Sequence, residues 1–202
     1  LLWKDLSFSW HGTIKTPERL IEKIEITQTK SKGTSKEEET KIDKDSFPAD
    51  IRVGEIFHVE DHPDANKLFV LQVSFGEEFG KRQIIAGIKD AFTKDQLQGK
   101  RACFLINLQP ATIRGVESKG MTLVAEESKE KYNLLWVENS IELGSSAIFE
   151  GKTQVLPEID FKTFGKYKLK VLDHKVLWNN IELCILGQPL LIPGVKDGAR
   201  IR

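Results

Sequence analysis

The chain has 202 residues, of which 40% are hydrophobic and 30% charged, and its 30 basic side chains are balanced by 30 acidic ones. This length allows one large or two small domains with a buried core. The formal net charge of zero excludes a strongly basic field, so a polyanion would have to be held by local clusters of basic residues. No apolar stretch approaches the roughly 18 residues of a membrane span, and the first residues do not form a signal peptide. We therefore expect a cytoplasmic protein and, because the chain begins with Leu1, a part of a longer one.

The N-terminal region contains one predicted helix and one predicted linker. In the segment 10–25, "WHGTIKTPERLIEKIE", Pro17 follows a threonine at a position typical of the first helical turn, and apolar residues recur on one face. Residues 28–46 contain almost no apolar side chain, so they cannot bury enough surface to offset the entropy cost of ordering. This second segment is predicted to be a flexible linker.

The region from residue 47 to residue 126 is predicted to form five strands, with a brief helix between the third and the fourth that ends at Gly99. The predicted strands lie in residues 51–60, 67–75, 82–88, 101–108 and 121–126. This order is typical of a mainly β fold, the five-stranded Greek-key barrel of the oligonucleotide-binding (OB) type, which binds single strands and loops on one face. SH3-like and other small barrels give similar orders, so the order alone leaves them open.

A loop joins the last two predicted strands: residues 107–121, "NLQPATIRGVESKGM". It is much longer than a hairpin turn needs, which indicates a functional loop. Arg114 beside Gly115 can place two donors on a phosphate or stack on an unpaired base. Ser118 offers a hydroxyl group. Met121 offers a polarizable surface, although it can equally be a core residue that begins the fifth strand.

A second candidate lies in "HPDANKL", residues 62–68, a predicted turn that projects Lys67 at the start of a strand. The alternative for Lys67 is an ordinary solvated lysine.

The C-terminal part is predicted to contain further strands. Residues 132–145 have an alternating pattern, residues 157–164 form a connector, and Asn179 and Asn180 suit a tight hairpin turn. The strands after the connector are predicted in residues 167–172, 175–186 and 188–193. The apolar side chains of these strands must pack against another apolar surface of the protein.

Three segments, residues 50–77, 82–88 and 107–126, resemble in order and spacing the tRNA-binding domain of the endothelial monocyte-activating polypeptide II family. The tail, with its final "GARIR", resembles the C-terminal domain of that family (EMAPII-like), and residues 10–25 are similar to the end of the anticodon-binding helical domain of methionyl-tRNA synthetases. The resemblance implies four parts: the end of a synthetase helical domain (1–27), a linker (28–46), an OB-fold tRNA-binding domain (47–126) and a C-terminal domain (127–202). It also implies that this last domain covers the barrel as a second subunit would, so we expect a pseudo-dimeric monomer.

The same resemblance implies which residues contact tRNA. It places Asn107, Arg114, Ser118 and Met121 on the RNA face and makes Lys67 a phosphate contact. The full predicted set is Lys67, Arg82, Asn107, Arg114, Ser118, Lys119 and Met121. The family commonly has lysines where this chain has Gln109 and Thr112, so we expect reduced affinity and a flatter salt dependence, with Lys119 able to replace one cation. For Arg82 the alternative is a solvated strand edge.

Enzymatic and cofactor motifs are missing from the sequence. The four histidines, at positions 11, 58, 62 and 174, lack metal-ligand spacing, and there is no phosphate-binding loop, dinucleotide fingerprint or nucleophile elbow. Cys103 and Cys184 lie in apolar runs and are expected to be reduced thiols. We therefore expect no cofactor, no metal and no catalytic residue here, while the parent protein would be a methionine–tRNA ligase.

Two functions follow as hypotheses. The first is a tRNA-binding module appended to a synthetase, which binds by shape and backbone and not by base sequence. The second, also implied by the resemblance, is an interaction module for other synthetases or assembly factors, or a cytokine-like signal. The signalling stretch would be residues 52–58: Arg52, Val53, Gly54, Glu55, Ile56, Phe57 and His58. Glu55 introduces a negative charge there.

Overall fold

The computed structural model describes residues 45–128 and 131–202. The predicted end of a helical domain at 1–27 and nearly all of the predicted linker at 28–46 lie outside these residues. None of the helices in the described ranges is long and apolar enough to cross a membrane.

The first half of the described chain contains the predicted barrel strands and two short helices. They are β1 (Ile51–Asp61), β2 (Phe69–Ser74), α1 (Gly76–Phe79), β3 (Lys81–Ala86), α2 (Lys94–Leu97), β4 (Lys100–Leu105), β5 (Ala111–Ile113), β6 (Val116–Ser118), β7 (Met121–Thr122) and β8 (Val124–Ser128). The second half is also mainly β. It contains β9 (Lys131–Leu134), β10 (Trp136–Val137), β11 (Ser146–Phe149), α3 (Phe161–Phe164), β12 (Leu169–Leu172), β13 (Lys175–Trp178), β14 (Ile181–Ile185), β15 (Gln188–Pro189) and β16 (Arg200–Ile201).

The barrel strands pair in an antiparallel order. β1 lies between β2 and β4, β3 pairs with β2, and β7 pairs with the far edge of β4. The amide of Lys119 donates to the carbonyl oxygen of Gln83 at 2.8 Å, which links the segment before β7 back to β3. The predicted mainly β fold, with a helix between the third and fourth strands, is therefore confirmed, while the finer assignment to the OB type stays a prediction.

The predicted fifth strand is two strands, because the chain changes partners at Leu123. β7 pairs with β4 before this residue, whereas β8 pairs with β9 and β16 after it. The buried Leu123 lies between these two strands and still bonds to β4, since its amide donates to the carbonyl oxygen of Cys103 at 3.3 Å. The barrel thereby passes directly into the C-terminal strands.

Two apolar clusters form the core. One fills the barrel around residues such as Leu71, Ile84 and Phe104. The other joins the barrel to the C-terminal part, since Ile51 and Leu105 share it with residues of β11 to β16. This second cluster therefore contains residues from both sides of the predicted boundary at residue 126.

The second cluster is centred on aromatic rings. The Phe47 centroid lies 4.7 Å from that of Phe149 and 5.4 Å from those of Tyr167 and Trp178. Cys103 is buried in the same cluster, and burial raises the pKa of its thiol to about 12. Both cysteines are free thiols, as predicted.

The C-terminal predictions hold in part. Asn179 and Asn180 have φ angles of 50° and 63° and form the predicted tight turn between β13 and β14. The alternating stretch 132–145 yields only the end of β9 and the short β10, and the predicted strand at 188–193 is reduced to β15. The predicted connector contains α3, which is capped by Asp160 accepting a hydrogen bond from the amide of Thr163 at 2.6 Å.

Candidate nucleic-acid interface

The predicted long loop contains a hairpin. Ala111 pairs with Ser118 and Ile113 with Val116, so β5 and β6 are joined by a two-residue turn. The two turn residues, Arg114 and Gly115, have φ angles of 46° and 82°, as a tight turn of the primed type requires. Arg114 is therefore an exposed residue at the tip of a defined hairpin.

A buried serine attaches this hairpin to the barrel. Ser118 is only 4% exposed, and its hydroxyl accepts a hydrogen bond from the amide of Ile85 and donates one to the carbonyl oxygen of Gly120, both at 3.0 Å. The side-chain amide of Gln83 also donates to the carbonyl oxygen of Glu117 at 2.8 Å. Ser118 therefore positions the hairpin. The resemblance had placed its hydroxyl on the RNA face, but the hydroxyl is buried and bonds within the protein.

Asn107 has a similar role at the start of the loop. It is 8% exposed, and its side-chain oxygen accepts from the amide of Asp50 at 2.8 Å. Its side-chain nitrogen donates to the carbonyl oxygens of Pro48 at 3.0 Å and Leu156 at 2.9 Å. Because these internal bonds occupy the side-chain amide group, we interpret Asn107 as a residue that positions the loop and not as an RNA contact.

Arg82 connects the two ends of the loop. Its guanidinium group donates to the carbonyl oxygens of Ile106 and Lys119. A cleft of about 230 Å³ lies beside it, with Lys119 and Glu158 in its lining. Arg82 is half-buried, so it is neither a plain solvated edge residue nor a freely projecting cation.

The 62–68 turn and the hairpin form one surface, joined by a histidine. The Nδ1 atom of His62 accepts from the amide of Asp64 at 3.1 Å, so its Nε2 carries the proton and donates to the carbonyl oxygen of Ile113 at 3.0 Å. Arg114 donates to the carbonyl oxygen of Asp64 at 3.4 Å. The sequence did not reveal this role of His62, because its partner Ile113 is 51 residues away.

The basic side chains of this surface lie beside carboxylates. Lys67 is 2.8 Å from Asp90, and Lys119 is 3.1 Å from Glu117. Lys89 and Lys94 both approach Asp61, and their hydrogen bonds lower the pKa of this carboxyl group. Exposed ion pairs contribute little free energy, so a phosphate group can compete for these cations.

Met121 has the predicted packing role, while its RNA contact stays a prediction. It pairs with Leu105 in the sheet and packs against the cluster that joins the two halves. It also lines a cleft, together with residues of β3 and of the C-terminal part. It is half-buried, so part of its side chain stays on the surface.

The predicted signalling stretch, residues 52–58, lies within β1 between two partner strands. Arg52 bonds to Asp50 at 2.7 Å, and Glu55 pairs with Arg101 at 3.2 Å. Only Phe57 and His58 of the stretch have exposed side chains. In this fold the segment is mainly a structural strand, and its signalling role stays a prediction.

No group of three or more metal-binding side chains occurs among residues 45–128 and 131–202.

Part of this chain is similar to known proteins. Residues 51–146 match the family described as putative tRNA binding domain, which extends 20 residues beyond the boundary predicted at 126. The methionine–tRNA ligase of Thermococcus onnurineus is 38% identical over 125 residues, 60% of this chain and 17% of that protein. The enzyme of Methanocaldococcus jannaschii is 37% identical over 158 residues, 72% of this chain and 24% of that protein.

Two further similarities extend over most of the described chain. The probable cytoplasmic methionine–tRNA ligase of Dictyostelium discoideum is 35% identical over 160 residues, 75% of this chain and 22% of that protein. The crystal structure of the C-terminal domain of Plasmodium vivax p43 has the same fold, with a TM-score of 0.68 and 24% identity over 76% of this chain and 96% of that one. The chain thus spans 17% to 24% of the length of these curated relatives. Residues 51–146, just under half of the chain, thus match the family of tRNA-binding domains, and the chain is homologous to part of the methionyl-tRNA synthetases.

Proposed function

We propose that this chain is a tRNA-binding module attached to an aminoacyl-tRNA synthetase of the methionyl type, and that it binds tRNA by shape and backbone. The observation that carries the proposal is the single surface made by the hairpin tip and the 62–68 turn, where Arg114 bonds to the carbonyl oxygen of Asp64. This surface presents two cations, Arg114 and Lys67, on backbone that is fixed by the internal bond of His62 to Ile113.

Recognition without base specificity is supported by the chemistry of these side chains. A lysine ammonium group is a point charge suited to phosphate, and a guanidinium group forks onto phosphate or stacks on any base. The amide and hydroxyl groups of Asn107 and Ser118, which could have discriminated base edges, are used in internal hydrogen bonds.

The module's benefit to a synthetase would come from its attachment. A second binding site on the same chain keeps the tRNA near the catalytic part at an effective concentration in the millimolar range for a short flexible linker. The aminoacylation chemistry would lie in other parts of the protein, and no cofactor is required for binding. We place the module in the cytoplasm, as the name of the Dictyostelium discoideum relative suggests.

The shared core supports the further proposal that the module is a monomer. The apolar side chains that a partner subunit would cover are covered by residues such as Phe149 and Trp178. Other synthetases or assembly factors are possible additional partners of the exposed surfaces.

The proposal is tested by gel-shift titration of the 202-residue chain with several purified tRNA species at one salt concentration. We expect the affinities of the parent chain for the different tRNA species to agree within a few-fold. Lys67→Ala should bind every species more weakly, and its affinities should agree with one another equally well. A matched control is Lys196→Ala, which removes an exposed lysine from the C-terminal part. Binding to one tRNA species only, or no binding at all, would refute the proposal, and the latter result would favour the interaction-module alternative.

A further inference from the structure

A cleft of about 290 Å³ lies where the loop 107–121 meets the C-terminal part. Its lining includes the end of β3, the start of β7 and three residues that follow the barrel. The lining residues that matter here are Gly87, Met121, Thr122, Tyr132, Phe161 and Arg202. Met121 is the last residue of the loop 107–121 and one of the residues predicted to contact tRNA, so the cleft adjoins that loop.

The cleft has aromatic walls that are open to solvent. Phe161, the first residue of α3, is 68% exposed, which is unusual for a large apolar ring. Tyr132 is half-buried, and the guanidinium carbon of Arg202 lies 5.6 Å from its ring centroid. Bases stack on aromatic rings of this kind, and a guanidinium group can add a cation–π contribution, so these side chains can form a stacking platform.

A buried hydroxyl group in the lining has no partner. Thr122 is 6% exposed, and its hydroxyl oxygen is the one buried side-chain polar atom without a hydrogen bond among the described residues. This oxygen has almost no accessible surface, so it lies behind the lining and is not a contact for a ligand in the cleft.

Arg202 is held in position for a nearby anion. One of its terminal nitrogens donates to a carboxylate oxygen of Glu126 at 2.8 Å and to the hydroxyl of Tyr132 at 3.3 Å. Its backbone exchanges two hydrogen bonds with Val124, at 2.8 and 3.0 Å. The guanidinium group is more than half exposed, so it remains accessible to a phosphate.

We propose that this cleft binds one unpaired nucleotide of the RNA, with the base against Phe161 and Tyr132 and the phosphate near Arg202. The inference rests on the proposed function and extends it to residues beyond position 146, where the family match ends. The volume of about 290 Å³ lies at the lower end of the range of ligand pockets, about 300–1,000 Å³, so the cleft has room for no more than one small ligand such as a nucleotide.

The test compares two RNA hairpins with equal numbers of phosphates, one blunt-ended and one with a short single-stranded extension. Filter binding of the full chain should favour the extended RNA. Phe161→Ala should weaken binding of the extended RNA by roughly 5- to 150-fold, the range measured for loss of one base-stacking ring, and leave the blunt RNA unchanged. Leu191→Ala, which truncates another exposed apolar side chain, is the matched control and should change neither affinity.

A further variant separates the cleft from the loop surface. Arg114→Ala should weaken both RNAs. If Arg114→Ala weakens both and Phe161→Ala changes neither, the nucleotide site is wrong and the proposed function stands. If the parent chain binds neither RNA, the proposed function itself fails, and this inference fails with it.

Discussion

Different forces stabilise two regions of the molecule. One region is the junction between the barrel and the tail, and the other is the hairpin surface. At the junction, Phe47 packs against three aromatic rings in an apolar cluster. On the hairpin surface, Ser118 and His62 hold the backbone by buried hydrogen bonds, while Arg114 and Lys67 remain exposed. The difference indicates that the functional side chains can be changed at little cost in folding, whereas the residues that position them cannot.

The largest expected effect is that of removing the junction altogether. A chain that ends at Glu126 lacks β9 to β16 and exposes the apolar side chains of Phe47, Ile51 and Leu105 that the tail covers. We expect it to aggregate or to dimerise, because a contiguous apolar patch of this kind is unstable in water. Sedimentation at micromolar concentration measures this. A soluble monomer would show that the tail does not cover the barrel, and a stable dimer of the full chain would contradict the pseudo-dimer account.

A single substitution in the junction should have the next largest effect. Phe47→Ala removes a buried ring and leaves a cavity among Phe149, Tyr167 and Trp178. We expect a loss of about 3–5 kcal/mol in the free energy of unfolding. Denaturant titration measures this loss, with Leu172→Ala, at a largely exposed position in β12, as the control. Equal stabilities of the two variants would mean that the aromatic cluster does not hold the junction.

A positioning residue of the loop should affect both stability and binding. Asn107→Ala leaves the amide of Asp50 and the carbonyl oxygens of Pro48 and Leu156 without their partner. We expect a loss of about 1–3 kcal/mol in stability, together with weaker tRNA binding because the loop is displaced. Thermal unfolding and filter binding on the same preparations test this. Weaker binding with unchanged stability would instead restore the original prediction of a direct RNA contact.

The smallest effect concerns the two lysines that this chain lacks. Gln109 and Thr112 are exposed on the loop, so lysines are sterically acceptable there. Gln109→Lys and Thr112→Lys should each strengthen tRNA binding and make the slope of log affinity against log salt steeper by about 0.7–0.9. Slopes that stay at the parent value would place these positions away from the RNA.

Much of the barrel could be predicted because each strand carries its own alternating pattern. β1 and β2 lie within one or two residues of their predicted bounds, and the turn at Asn179 and Asn180 has the predicted geometry. The hairpin in the loop was missed because β5 and β6 have three residues each, too few for a pattern, and because its turn begins with Arg114, not with a typical turn residue.

The roles of individual site residues were harder to predict, since they depend on distant partners. Asn107 bonds to Asp50 and Pro48, which are 57 and 59 residues away, and a polar residue in a loop carries no sign of such bonds. Lys94 lies on the short helix α2, yet its ammonium group is 2.6 Å from Asp61 at the end of β1, next to the candidate surface. It is therefore unsuitable as a silent control, and Lys196 takes its place.

The central claim is that the exposed hairpin tip binds the tRNA backbone, and the salt dependence of Arg114→Ala tests it most directly. Filter binding of the parent, Arg114→Ala and Lys196→Ala should be measured with one tRNA over a range of salt concentrations. We expect Arg114→Ala to weaken binding by about 1–3 kcal/mol and to make the salt slope shallower by about 0.7–0.9, with stability and the Lys196→Ala control unchanged. The same loss of affinity with an unchanged slope would mean that Arg114 stacks on a base. Affinities equal to that of the parent for both variants would contradict the account and place tRNA binding elsewhere on the protein.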